Sequence, residues 1–270
     1  GPLQMQISAL DYSSYVGVIG IGRITRGVLT PNTQVMVVDP GGETRKGRVL
    51  QVMGYLGLER IDVESAEAGD IVCITGIEGL NISDTLCDPL QVEAMPPLSV
   101  DEPTESMTFQ VNDSPFAGKE GKYVTSRNIK ERLERELIHN VALRVEPGDS
   151  PDKFKVSGRG ELHLSVLIEN MRREGFELGV SRPEVIQKEV DGKMHEPFEQ
   201  LVIDCEEQHQ GAVMEELGVR RAELENMVPD GKGRVRLEFI VPARGLIGFR
   251  SMFLTMTSGG GIMTHVFDHY

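Results

Sequence analysis

The sequence has 270 residues, a length that fits two domains or three small ones, with 39% hydrophobic and 26% charged residues. Lys and Arg number 28 against 42 Asp and Glu, so the formal net charge is -14. The longest apolar run, residues 16–22, is far shorter than the ~20 residues that span a bilayer, which excludes a helical membrane protein. The acidity disfavours generic nucleic-acid binding, because Lys and Arg carry most of the affinity for phosphates.

Residues 1–97 are rich in Gly, Val and Ile, and short extended runs alternate there with turn signals. The predicted strands are 6–10, 17–24, 34–38, 45–54 and 70–74. Many short strands at this spacing predict a small closed β-barrel. Paired prolines at residues 96–97 stop strand pairing and predict a linker.

Residues 98–193 change to a mixed pattern. Alternation predicts strands at 107–111, 141–145, 154–157 and 176–180, while apolar stripes at helical spacing predict helices at 126–140 and from about 164 to 171. We expect residue 190 to lead almost directly to residue 197. This middle segment carries 15 basic and 18 acidic residues, so it is nearly neutral. The element order is β-α-β-β-α-β.

Residues 194–270 repeat that order. Strands are predicted at 201–205, 222–228, 235–241 and 261–269, with helices at about 209–221 and 249–256. Two successive β-α-β-β-α-β patterns predict two ferredoxin-like sandwiches after the barrel, each with an antiparallel sheet covered by two helices. The predicted fold class is therefore multidomain, β plus α+β.

No catalytic residue and no metal site is predicted. Gly121-Lys122 fails as a phosphate loop, because Phe116 stands where a Gly is needed and Tyr123 where a Ser or Thr is needed. His265 and His269 would lie roughly 13 Å apart on a strand, too far to share one metal ion. His163 is interpreted as a capping or packing residue rather than a ligand.

Carboxylates and thiols elsewhere in the chain predict no site either. Glu206 and Glu207 beside His209 would suit acid–base work, but carboxylates cluster more often on solvated turns. The cysteines, Cys73, Cys87 and Cys205, form no C-x-x-C pair. That spacing argues against a disulfide framework and suits a cytoplasmic protein.

Basic residues beside helix starts and turns are the most suggestive feature. Arg159 precedes one predicted helix, and Arg244 and Arg250 flank the start of another, where free backbone N–H groups favour anions. Two further clusters are residues 119–127 and 45–48. Helix capping and solvated charged surfaces are the simpler explanations of each cluster taken singly.

Several stretches resemble translational GTPases. Residues 20–27 look like the opening of their second-domain barrel, and residues 157–175 resemble the third domain of the BipA/TypA branch. Residues 206–211 and 242–251 are similar to the fifth domain of that branch. The resemblance covers essentially the whole chain, and elongation factor G and LepA carry divergent versions of these motifs.

The resemblance implies a ribosome-associated GTPase used in stress adaptation and large-subunit assembly, with ribosomal RNA and ribosomal proteins as partners and no contact with membranes or DNA. The family's GTPase domain, which holds GTP and magnesium, is expected before residue 1, and a further domain after residue 270. No G-x-x-x-x-G-K-[ST] or N-K-x-D motif occurs here, so the chain alone is expected to be catalytically inactive and to hold no cofactor.

Two candidate surfaces follow from this resemblance. The hypothetical ribosome-binding residues are Arg23, Arg26, Arg45, Lys46, Arg48, Arg159, Arg244 and Arg250. A loop that faces the GTPase domain in cis is proposed to contain Ser114, Pro115, Phe116, Lys119, Lys122 and Arg127. The competing hypothesis is a stand-alone regulatory protein in which paired ferredoxin-like domains bind a small ligand; binding of ribosomes would separate the two.

Overall fold

The structure is a computed structural model that describes all residues, 1–270. It is rich in β-structure and contains four α-helices. The chain divides into two compact units. The first comprises residues 1–100 with 135–141, and the second comprises residues 101–134 with 142–270.

The first unit is built on an eight-stranded antiparallel sheet. The unit contains ten strands, namely β1 (Gln4–Ser13), β2 (Gly17–Arg26), β3 (Val28–Leu29), β4 (Thr33–Val38), β5 (Thr44–Val49), β6 (Val52–Leu56), β7 (Glu59–Asp62), β8 (Ala66–Glu67), β9 (Ile71–Ile74) and β10 (Thr85–Cys87). The order in the sheet is β5-β4-β10-β1-β2-β9-β6-β7, and β3 pairs separately with β8. No residue of 1–97 is helical, as the sequence predicted.

One predicted strand of this unit is wrong. Residues 45–54 form two strands, β5 and β6, because the chain changes partners between them. β5 pairs with β4, whereas β6 pairs with β9. At the break, the N–H of Leu50 donates to the carbonyl oxygen of Thr75 at 2.9 Å, and the N–H of Thr75 donates to that of Gln51 at 3.2 Å.

Close packing of β1 against β2 explains the Gly20-Ile21-Gly22 motif. A Cβ at Gly22 would lie 2.1 Å from the backbone oxygen of Gln6, a distance that no side chain tolerates. Met5, Ile7 and Ile24 are fully buried beside it in the core of the unit. Glycine here permits close strand packing.

The second unit begins with an α/β segment. Its elements are β11 (Glu105–Val111), α1 (Ser126–His139), β12 (Arg144–Pro147), β13 (Lys153–Gly158), α2 (Glu161–Arg173), β14 (Leu178–Val180) and β15 (Glu184–Val185), followed by β16 (Lys188–Val190) and β17 (Lys193–His195). The sheet order is β12-β13-β11-β14, with β15 also on β11. The core contains Phe109, Val156 and Leu164, all fully buried.

One prediction fails in this segment. The strand predicted at 141–145 begins only at Arg144, where its pairing with Ser157 of β13 starts. The short connection expected from 190 to 197 includes the hairpin β16–β17, which was not predicted. Its turn residues, Asp191 and Gly192, both have positive φ, 51° and 75°, as an Asp-Gly hairpin turn requires.

The last segment of the second unit contains β18 (Phe198–Glu206), α3 (Gln210–Val219), β19 (Glu223–Pro229), β20 (Arg234–Pro242), α4 (Phe249–Met256) and β21 (Ile262–His269). Short 3-10 turns precede the helices, at Glu207–His209 and Ala243–Leu246. The sheet order is β19-β20-β18-β21, entirely antiparallel. The aromatic rings of Phe249 and Phe253 anchor α4 in the core. None of the helices has the length and apolar character needed to cross a membrane.

Candidate functional site

The basic residues predicted on the first unit differ in what their side chains contact. Arg26 lies 3.0 Å from Glu93, Arg45 donates to the carbonyl oxygen of Gly79 at 2.9 Å, and Arg48 donates to that of Asn32 at 3.0 Å. These three guanidinium groups stabilise turns and strand ends. Arg23 and Lys46 are exposed and make no polar side-chain contact within the chain.

In the second unit, two predicted residues meet in one cleft. Arg159 follows β13, and Arg250 lies in the first turn of α4, yet both line a cavity of about 400 Å³. Residues 263–267 of β21 form another wall. Arg244 does not line it, because its guanidinium is bound 2.6 Å from Glu196.

The charges of this cleft leave one guanidinium free. Arg159 is about half exposed and lies 4.0 Å from Asp101, a loose pair. Glu102, also in the cleft, is neutralised by Lys188 at 2.6 Å. Arg250 is half-buried and has no acidic partner. A ligand that carries phosphate or carboxylate oxygens would therefore find an unpaired guanidinium here.

His163 has the capping role that the sequence indicated. The backbone N–H of Arg159 donates to its Nδ1 at 3.0 Å, just before α2 begins. Gly158 makes room for the ring, since a Cβ there would lie 2.8 Å from Nδ1. The contact holds Arg159 in place at the mouth of the cleft.

The other histidines considered from the sequence each lie near one carboxylate, and for His209 this is Glu206 at 3.9 Å. His265 and His269 lie on the edge strand β21, where His265 is 3.0 Å from Glu199 and His269 is 2.5 Å from the neighbouring Asp268. Glu206 and Glu207 are exposed. No group of three or more metal-ligating side chains occurs in the structure, and the three cysteines are buried free thiols.

A second cavity of about 240 Å³ adjoins the cleft and contains functional residues that sequence reasoning missed. Glu105, at the start of β11, is 2% exposed, and its Oε2 has no hydrogen-bond partner. Glu161, at the start of α2, accepts the backbone N–H of Gly248 at 2.9 Å. Arg250 and His265 line both cavities.

Burial and, after it, the negative charges of Glu199 and Glu161 raise the pKa of Glu105 to about 7, while His265 opposes the rise. Glu199 is itself 1% exposed. A signal for both residues was present in the sequence. Glu105 continues the buried alternation of Met107 and Phe109, and Glu199 continues that of Leu201, so both carboxylates fall on inward-facing positions.

The loop predicted to face a GTPase domain is organised by a carboxylate that sequence reasoning also missed. Glu177 accepts three backbone N–H groups, from Gly118, Glu120 and Gly121, each at 2.7 Å. These bonds hold the pKa of Glu177 below its ordinary value. These three bonds fix residues 118–121 of the loop to Glu177, the residue that precedes β14.

The predicted loop residues project from this frame. Lys119 lies 4.8 Å above the ring of Phe116, which is two-thirds exposed, and Ser114 accepts the backbone N–H of Phe116 at 3.3 Å. Lys122 and Pro115 are exposed. Arg127 is occupied by Glu131 one turn along α1, at 2.9 Å. The loop presents an aromatic ring and two lysines to solvent.

We expect Glu177→Gln to loosen this loop, because a neutral amide is a weaker acceptor for three N–H groups than a carboxylate. Amide hydrogen exchange at residues 118–121 should accelerate severalfold at pH 7. In the parent chain the same protection should be present above the unfolded pKa and fall as pH drops through the lowered folded pKa. Glu120→Gln, whose side chain is exposed, is the control; equal exchange in both variants would contradict this role of Glu177.

Comparison with known proteins assigns the family. A family described as Elongation factor Tu domain 2 matches residues 17–87, and one described as Elongation factor G C-terminus matches residues 193–270. Proteins named Large ribosomal subunit assembly factor BipA from Salmonella typhimurium and Haemophilus influenzae are each 66% identical over the whole chain. The chain corresponds to part of a BipA-like protein. The BipA protein of Buchnera aphidicola is 56% identical over 99% of the chain.

The matches differ in how much of each protein they cover. The chain spans 44% of the length of the BipA relatives. Among solved structures, a protein from Thermus thermophilus superimposes with a TM-score of 0.61 at 16% identity, over all of this chain and 55% of the other. That likeness concerns the fold alone. The matches to the BipA proteins of Salmonella typhimurium and Haemophilus influenzae, by contrast, cover the whole chain, including the segments that form the cleft.

Proposed function

We propose that this chain is the ribosome-binding part of a BipA-like translational GTPase that acts in the cytoplasm in large-subunit assembly and stress adaptation. The observation that carries the proposal is 66% identity along the whole chain to proteins named large ribosomal subunit assembly factors. Surface loops and sites diverge faster than cores between proteins of different function, so this level of identity along the whole chain supports a shared function.

The domain folds fit this assignment. We infer a β-barrel for residues 1–97 and ferredoxin-like sandwiches for 98–193 and 194–270. In support, both α/β segments have the element order β-α-β-β-α-β and the same antiparallel strand order, second-third-first-fourth. That order places the first and third strands centrally, as in the split β-α-β fold.

Contacts within the chain reduce the number of predicted residues that are free to bind the ribosome. Arg159 and Arg250 in the cleft, with Arg23 and Lys46 on the first unit, are the predicted residues whose charge is wholly or largely free for phosphate or for acidic ribosomal-protein side chains. Arg26, Arg45, Arg48 and Arg244 act within the chain. With a net charge of -14, binding should depend on these local patches rather than on a general field.

The loop at residues 114–127 is proposed to meet the GTPase domain in cis and to transmit its nucleotide state. Its exposed Phe116 and Lys119 offer an apolar and a cationic contact on a frame fixed by Glu177. GTP and magnesium belong to that domain in this proposal. The present chain contains neither nucleotide motif, so we expect it to hydrolyse no GTP.

Sedimentation with ribosomal particles tests the proposal. The chain should pellet with large subunits or whole ribosomes at low salt and dissociate as salt rises, while GTP turnover by the chain stays at background. Failure to pellet with any ribosomal particle at low salt would contradict ribosome binding by this part of the protein. An acidic protein of similar size serves as the control for trapping in the pellet.

A further inference from the structure

The cavity of about 240 Å³ beside the cleft shares Arg250 with ribosome binding as proposed above, and its other lining residues take no part in that binding. Its walls come from the starts of β11, α2 and α4 and from β21. Leu162, Leu246, Leu254 and Met263 supply its apolar walls, and its polar side chains are those of Glu105, Glu161, Ser165, Arg250, Ser251 and His265. Apolar walls combined with convergent polar groups are the usual form of a small-molecule site.

The polar groups of the cavity differ in whether they have partners. Glu161 accepts the N–H of Gly248, and His265 lies 3.0 Å from Glu199, a buried carboxylate outside the lining whose Oε2 also has no partner. Glu105 is 2% exposed and leaves its Oε2 without a partner. Burying a carboxylate oxygen without a partner is costly, so a partner that supplies a donor would stabilise the site.

An unpaired guanidinium lines the same cavity. Arg250 is half-buried and binds no acidic side chain in the structure. The cavity therefore has one unpaired anionic group, one unpaired cationic group and aliphatic walls. A cation alone would suit Glu105 but would be repelled by Arg250, and an anion alone would meet the reverse problem.

We propose that this cavity binds a small aliphatic amino acid, with its ammonium group on Glu105, its carboxylate on Arg250 and its side chain among Leu162, Leu246 and Leu254. The proposal goes beyond ribosome binding and shares only Arg250 with it. It assigns to the buried carboxylate a ligand that satisfies the oxygen left bare in the structure. The two ends of the ligand match the two unpaired groups in sign.

Proton balance gives the proposal a second readout. The pKa of Glu105 is raised to about 7 by burial and by Glu199 and Glu161, while His265 opposes the rise and Arg250 lines the same cavity. At pH 7 the carboxyl is therefore about half protonated. An ammonium group bound there favours the ionised form, so binding should release about half a proton per ligand at pH 7 and less at pH 8.

Isothermal titration of the 270-residue chain with three matched probes tests the site. L-Leucine carries both charges, isoamylamine lacks the carboxylate, and 4-methylpentanoate lacks the amine. We expect L-leucine to bind at least roughly tenfold more tightly than either analogue, because each loses one charge-assisted contact. Titration in buffers of different ionisation enthalpy measures the released proton.

Variants complete the test. Glu105→Gln should weaken L-leucine binding at least about tenfold and abolish proton release, whereas Glu189→Gln, at an exposed position on β16, should change neither. Equal binding of either analogue, full binding by Glu105→Gln, or no detectable binding of L-leucine would overturn the proposal. Glu105→Gln should leave sedimentation with ribosomes unchanged, which separates this failure from failure of ribosome binding.

Discussion

Phe253→Ala is expected to lower the free energy of unfolding of the 198–270 segment by about 3–5 kcal/mol, the cost of truncating a fully buried aromatic side chain. Phe253 is 0% exposed and lies with its ring centroid 5.8 Å from that of Phe249. The fit is tight on the other side as well. A Cβ at Gly261 would approach the ring of Phe253 to 2.5 Å, so the chain places glycine there.

The substitution should also affect the cleft, because Phe253 anchors α4, the helix that carries Arg250. Hydrogen exchange of peptides from β20 and α4 measures the loss locally, which suits a chain with two units. Met252→Ala is the matched control on the same helix, since Met252 is 40% exposed and should cost less than about 1 kcal/mol. Equal losses in both variants would contradict the assigned core.

Glu105→Gln is expected to stabilise the second unit increasingly as pH rises. The folded pKa of Glu105, about 7, lies above the ordinary value of 4.5, so the parent chain loses stability as pH climbs from the unfolded to the folded pKa. The glutamine variant has no such titration. Between pH 5.5 and 8 the advantage of the variant should therefore grow by about 2 kcal/mol, since one pKa unit corresponds to about 1.4 kcal/mol.

Denaturant unfolding of parent and variant at several pH values measures this difference. Glu189→Gln, an exposed substitution in the same unit, should show a pH-independent difference from the parent chain. A gap between Glu105→Gln and parent that stays constant from pH 5.5 to 8, or that narrows, would show that Glu105 is ordinarily solvated. The same carboxyl then could not be the unpartnered group of the cavity.

Regular spacing of apolar residues, alternating in strands and at helical intervals in helices, made most elements predictable from the sequence. The helix predicted at 249–256 has those bounds in the structure, because Phe249, Met252, Phe253 and Met256 mark one face at helical spacing. The strand at 235–241 extends by only one residue at each end. Errors occurred where pairing partners change, as at Leu50, or where an Asp-Gly turn was overlooked, as at residues 191–192.

The candidate site was only half predictable. Local sequence placed Arg159 and Arg250 at helix starts, but their meeting in one cleft follows from long-range packing of α2, α4 and β21, which no local pattern encodes. Ion pairs between residues distant in the sequence, such as Arg244 with Glu196, could not be predicted for the same reason. The buried positions of Glu105 and Glu199 could have been predicted, because both residues continue the alternation of inward-facing residues in β11 and β18. The sequence prediction used that alternation for apolar residues only.

The central claim is that the guanidinium groups of Arg159 and Arg250 in the cleft bind ribosomal phosphates or acidic side chains of ribosomal proteins. It is tested most directly by the salt dependence of ribosome binding in Arg159→Glu/Arg250→Glu, compared with the control Arg173→Glu/Arg236→Glu, whose residues are paired with Glu169 and Glu238. The cleft variant should bind more weakly, with a slope of log affinity against log salt reduced by about 1.5–2, whereas the control should stay near the parent chain. Identical slopes for the parent and the cleft variant would contradict the account.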